Sequence, residues 1–94
     1  MNKQYAQQKP ELESVSAEKQ LDVRFLVLYN DEVHTFDYVI DSLIEVCELD
    51  PIQAEQITFL VHYKGKCDVI KGTEELLMPF KQGLALKGLR AIIN

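Results

Sequence analysis

Three side-chain acceptors in a row, Asn30-Asp31-Glu32, end an apolar run that reads Arg24-Phe25-Leu26-Val27-Leu28-Tyr29. A lone histidine, His62, sits in a second short block, Val61-His62-Tyr63-Lys64-Gly65-Lys66. A strand that ends in three acceptors is poorly suited to packing and well suited to holding a small cation. The cation that fits such a set is an ammonium group, which has three N–H donors and one charge and needs about three acceptors with negative charge nearby. Asp31 and Glu32 offer carboxylates, Asn30 an amide oxygen, and a neutral His62 a ring nitrogen. The His62 ring can also donate to a peptide backbone. Charge alone does not tell an α-amine from a lysine. An apolar pocket at a fixed distance from the acceptors does, and the helical spacing offers one: Thr58, Val61 and His62 share a face, as do Phe36 and Val39.

These groups need elements to position them. Phe25 to Tyr29 is apolar on both faces, as a central strand is. Asn30 to His34 reads as a loop. Thr35 caps a helix whose apolar positions Phe36, Val39, Ile40, Leu43, Val46 and Cys47 fall on one face. Asp50-Pro51 opens a second helix and Gly65 closes it. Cys67 to Lys71 reads as a strand ended by Gly72. Thr73-Glu74-Glu75 starts a third helix, and Pro79 disturbs it, since an interior proline loses a hydrogen bond and clashes one turn back. The helix either kinks there or begins late, with Pro79 in its first turn. Gly83 and Gly88 break the chain beyond it, and Leu89 to Ile93 forms the last strand. The expected order is β-α-α-β-α-β, an α+β domain with three helices on one face of a mainly antiparallel three-stranded sheet. Residues 1–21 are polar and without period, a flexible N-terminal extension to a domain over 22–94.

Ninety-four residues suffice for one small domain. The formal net charge is −5, and from Asp22 to Glu55 nine acids face a single Arg24. That balance opposes nucleic-acid binding, which needs a basic footprint. Cys47 and Cys67 lie in apolar patterns with no CxxC spacing, as reduced, buried thiols do. With no apolar leader and no run of about 18 apolar residues, the expectation is a cytoplasmic chain off the membrane. Nothing in the pattern calls for a metal, a cofactor or more than a monomer.

Leu28-Tyr29-Asn30-Asp31-Glu32, Phe36-Asp37-Tyr38-Val39 and Val61-His62-Tyr63-Lys64-Gly65-Lys66 together resemble the bacterial ClpS family, adaptors of the ATP-dependent Clp protease. The resemblance covers about Arg24 to Ile93. It implies a non-catalytic adaptor for N-degrons, substrates with an N-terminal Leu, Phe, Tyr or Trp, passed to the N-terminal domain of a ClpA-type or ClpC-type AAA+ unfoldase. By position, Asn30, Asp31, Glu32 and His62 would hold the α-amine and first peptide groups. Leu28, His34, Phe36, Val39, Thr58, Val61 and Leu89 would line the side-chain pocket. Glu75, with Lys81, would face the unfoldase, and residues 1–21 would match the extension that assists delivery. The chain departs from the family pattern at several positions. Glu32 replaces an Asp, His34-Thr35-Phe36 stands for Thr-Pro-Met, Thr58 replaces a Met, and Phe80 stands where Lys is common. In the family that first methionine acts as a gatekeeper against β-branched side chains.

Other readings of the same residues remain. A lone helical histidine is more often structural than ligating, and Asp31-Glu32 by itself would be a solvated turn. An enzyme would use Cys47 and His62 as nucleophile and base, although Cys47 falls in an apolar stripe. A general interaction module would use the acidic face without reading a terminus.

Overall fold

The computed structural model describes residues 22–94; the extension expected over 1–21 lies outside the described residues. Strand β1 (Arg24–Tyr29) leads through a loop to helix α1 (Phe36–Cys47). Helix α2 (Pro51–Lys64), strand β2 (Lys66–Gly72), helix α3 (Glu74–Leu86) and strand β3 (Ala91–Ile93) follow. The sheet order is β2-β1-β3 and both pairings are antiparallel, so β1 is central, as its apolar character requires. Alternation along β1 sends Leu26 and Leu28 into the core with Leu43, Leu77 and Leu84, all essentially without solvent contact. Tyr29, of opposite parity, lies under the guanidinium of Arg90, 4.4 Å from its ring centre.

Each helix begins where a side chain can satisfy its free N–H groups. Thr35 accepts from the Tyr38 N–H at 3.1 Å and Thr73 from the Leu76 N–H at 3.3 Å. Asp50 accepts from the Ile52 and Gln53 N–H groups, with Pro51 in the first turn. Gly65 ends α2 at φ +94°, a conformation that costs a side-chain-bearing residue about 1 kcal/mol or more. Among the described residues no helix is long and apolar enough to cross a membrane.

Two expectations about α3 need correction or completion. The helix starts at Glu74 and runs on with Pro79 inside it, so the late start does not occur. The Glu75 carbonyl, which would have received the missing N–H, belongs to an exposed residue that solvent can reach. Gly83 does not break the chain either; it lies within α3. A Cβ there would come within 2.6 Å of Val46 Cγ1, so glycine is what lets α3 approach α1. Gly88, at φ +82°, is the residue that turns the chain toward β3. That strand covers Ala91 to Ile93, shorter than expected, with Leu89 buried just ahead of it.

Candidate functional site

The acidic loop and His62 are far apart in sequence, and the sheet closes the gap. Tyr29 pairs with Lys66 at the end of the β1–β2 ladder. The Asn30 N–H then donates to the Gly65 carbonyl at 2.9 Å, just beyond the end of α2. On the other side the Tyr29 N–H donates to the Arg90 carbonyl at 2.9 Å, which fixes the approach to β3. The loop therefore leaves the sheet beside the last turn of α2, where His62 is exposed.

The loop is organised by its own aspartate. Asp31 Oδ1 accepts from the backbone N–H groups of Val33 (2.8 Å) and His34 (2.9 Å), and Oδ2 lies 3.0 Å from His34 Nδ1. Burial raises the Asp31 carboxyl, but the hydrogen bonds from His34 and Val33 outweigh it and hold the group below its ordinary 3.8. The His34 ring stacks on Tyr38 with centroids 4.8 Å apart, and a Cβ at Gly88 would come within 3.2 Å of its Nε2. The Tyr38 hydroxyl in turn donates to the Lys87 carbonyl at 2.6 Å. Loop, α1 and the turn after α3 are thus joined through His34 and Tyr38. Asn30 Nδ2 donates to Glu32 Oε2 at 3.4 Å, which leaves the Asn30 amide oxygen as an acceptor.

Beside this loop opens a cavity of about 150 Å³. Asn30, Asp31, Glu32 and His62 line it, and so does His34. Its apolar wall comes from Leu28 on β1, Phe36 and Val39 on α1, Val61 on α2 and Leu89 before β3. Thr58 completes the α2 side, buried, with its hydroxyl donating to the Ala54 carbonyl at 2.8 Å. The residues that the sequence groups as an amine site and a side-chain pocket therefore surround one cavity. Phe36 sits at its edge, half-exposed, edge-on to the His62 ring at 5.1 Å and to Phe59 at 6.1 Å.

Two further residues line the cavity that the sequence does not assign to it, Tyr29 and Thr35. Their neighbours on both sides were candidates. Thr35 reads first as a helix cap, which it also is, and Tyr29 as strand interior. Glu75 lies elsewhere, in a groove with Asp22, Arg24, Thr73 and Glu74. Lys81 lines neither, and six residues along a helix set it about a third of a turn from Glu75 around the axis.

The geometry bears on the nucleophile reading as well. Cys47 is buried in the core, does not line the cavity, and burial pushes its thiol up to about 11. A catalytic thiol needs the opposite environment. Among the described residues no three His, Cys, Asp or Glu side chains converge to hold a metal ion.

A family model described as "ATP-dependent Clp protease adaptor protein ClpS" matches residues 19–88. No curated protein matches. Among solved structures the chain is similar to Agrobacterium tumefaciens ClpS2 bound to L-phenylalaninamide, with a TM-score of 0.71 at 15% identity, covering 78% of this chain and 95% of that one. At that identity the likeness concerns the fold.

Proposed function

Because this chain belongs to the ClpS family of ATP-dependent Clp protease adaptors, we propose that it binds proteins by a free N-terminus with an apolar first side chain and delivers them to an AAA+ unfoldase. The observation that carries this reading is the cavity's two-sided chemistry. Acceptors and carboxylates from Asn30, Asp31 and Glu32 meet His62 along one part of it, and Leu28, Phe36, Val39, Val61 and Leu89 along another. The first part suits an α-ammonium group. The second suits an apolar side chain, and the cavity as a whole, at about 150 Å³, is of the size that holds a benzene ring in a protein interior. Phenylalaninamide, the ligand of the Agrobacterium relative, joins these same two features, a free amine and a phenyl ring.

In this reading Asn30, Glu32 and His62 contact the amine and first peptide group directly. Asp31 contributes charge and one remaining acceptor position while it holds the loop. The protein acts by tethering and has no reaction of its own. The domain over 22–94 captures the substrate, residues 1–21 assist delivery, and Glu75 and Lys81 on α3 face the N-terminal domain of a ClpA-type or ClpC-type unfoldase in the cytoplasm.

The test of delivery is degradation of a reporter protein with an N-terminal Phe by the unfoldase–protease of the same organism. Adding the adaptor should speed its loss and leave the same reporter with Met ahead of Phe unaffected. Equal rates for both reporters would contradict the proposal.

A further inference from the structure

Among the buried residues that line the cavity, one side chain is polar. Ser42 and Thr58 are the buried polar residues among those described, and only Thr58, 3% exposed, lines the cavity. Its hydroxyl donates its single proton to the Ala54 carbonyl at 2.8 Å. A hydroxyl has one donor and two acceptor lone pairs, so Thr58 Oγ1 retains acceptor capacity on the buried side of the pocket. Leu28, Phe36, Val39, Val61 and Leu89 have no side-chain acceptor to offer, and the polar His34 and Thr35, which also line the cavity, are partly or fully open to solvent where Thr58 is buried. Thr58 also stands at an informative depth. It lies four residues before the exposed His62 on the same face of α2, about 6 Å along the helix axis. An aromatic side chain whose α-amine is held beside His62 carries its para position inward over a similar length.

A buried phenol O–H needs an acceptor, and a purely apolar pocket would impose on tyrosine the full cost of desolvation. Resting on the adaptor reading, we infer that Thr58 Oγ1 accepts the phenolic O–H of an N-terminal tyrosine, making tyrosine the preferred first residue over phenylalanine. The size of the preference follows from the Ala54 bond. With phenylalanine bound, the Thr58 hydroxyl is still satisfied, so phenylalanine is not rejected by an orphaned group. The preference is therefore about tenfold, the scale of one hydrogen bond, and far from the roughly 10⁴-fold of sites that leave a polar group unpaired.

The experiment compares otherwise identical labelled peptides beginning with Tyr, Phe and 4-methylphenylalanine. The last fills nearly the volume of tyrosine without a donor. Binding is measured by anisotropy to the full chain and to its Thr58→Val and Thr58→Ser variants. The expected result is a Tyr to 4-methylphenylalanine affinity ratio of about ten in the parent protein, retained in Thr58→Ser and lost in Thr58→Val. A ratio near one in the parent, or an undiminished ratio in Thr58→Val, would overturn the assignment while Tyr and Phe still bind. If neither Tyr nor Phe binds the parent protein, the adaptor reading itself falls and this inference with it.

Discussion

At the scale of single residues, the proposed site separates groups that would touch a ligand from groups that hold them. His62 is exposed at the cavity and Asp31 is tied into the loop by three contacts. His62→Ala should weaken peptide binding by about 1.5–3 kcal/mol, the scale of a charge-assisted hydrogen bond, and leave stability nearly unchanged. Titration calorimetry with a Phe-initiated peptide checks this; parent-like affinity removes His62 from the site. Asp31→Asn should cost both affinity and stability. The sign of its pH dependence follows from its lowered carboxyl. A group whose folded value is depressed stabilises the fold above its ordinary value, here 3.8, and loses that contribution as pH falls through the folded value. Urea unfolding should therefore separate parent and Asp31→Asn at neutral pH and bring them together as the medium is taken below the carboxylate range. A gap independent of pH would mean that the loop is held by something else. Cys47, with its thiol raised to about 11, should resist iodoacetamide until the protein unfolds, while the more exposed Cys67 reacts first. Rapid alkylation of Cys47 in the native protein would reopen the nucleophile reading.

At the scale of elements, α1 and α3 meet at Gly83. An alanine there gains about 1 kcal/mol of helix propensity but must displace Val46. Overpacking costs about 1–3 kcal/mol, so Gly83→Ala should lower or at best preserve stability, and its penalty should shrink in a Val46→Ala background. Equal effects in both backgrounds would contradict the contact. Gly83 also shows where sequence reading stops. Caps are local chemistry, and Thr35, Asp50-Pro51, Gly65 and Thr73 all mark the ends they announce. An interior glycine reads as a break because its cost is local, whereas its reason, room for Val46, belongs to another helix. Pro79 reads as ambiguous for the same cause. The cavity was legible in outline because the α1 and α2 faces and the acidic loop each have a local signature. The binding of Asp31 by His34 was not, since nothing in Asn30-Asp31-Glu32 says that one carboxylate is engaged in shaping the loop. Tyr29 and Thr35 were missed because each already has a structural explanation as strand or cap.

At the scale of the whole molecule, the charge distribution bears on the proposed capture and delivery. The acidic excess between Asp22 and Glu55 includes the loop beside the cavity, so the field there would attract a cationic terminus before contact. Salt should accordingly slow association more than it speeds dissociation, because screening acts on the approach. Stopped-flow binding at low and high ionic strength checks this, and a change confined to dissociation would contradict it. Removing residues 1–21 should leave peptide affinity intact and impair degradation of an N-degron reporter. Above all, one cavity should read a free α-amine and an apolar first side chain together. The decisive test is fluorescence anisotropy with four peptides that begin with Phe, Leu, Val and acetyl-Phe and are otherwise identical. Phe and Leu should bind, and Val and acetyl-Phe should remain unbound. Binding of acetyl-Phe as tight as that of Phe would contradict this and leave an apolar peptide groove in place of a terminus reader.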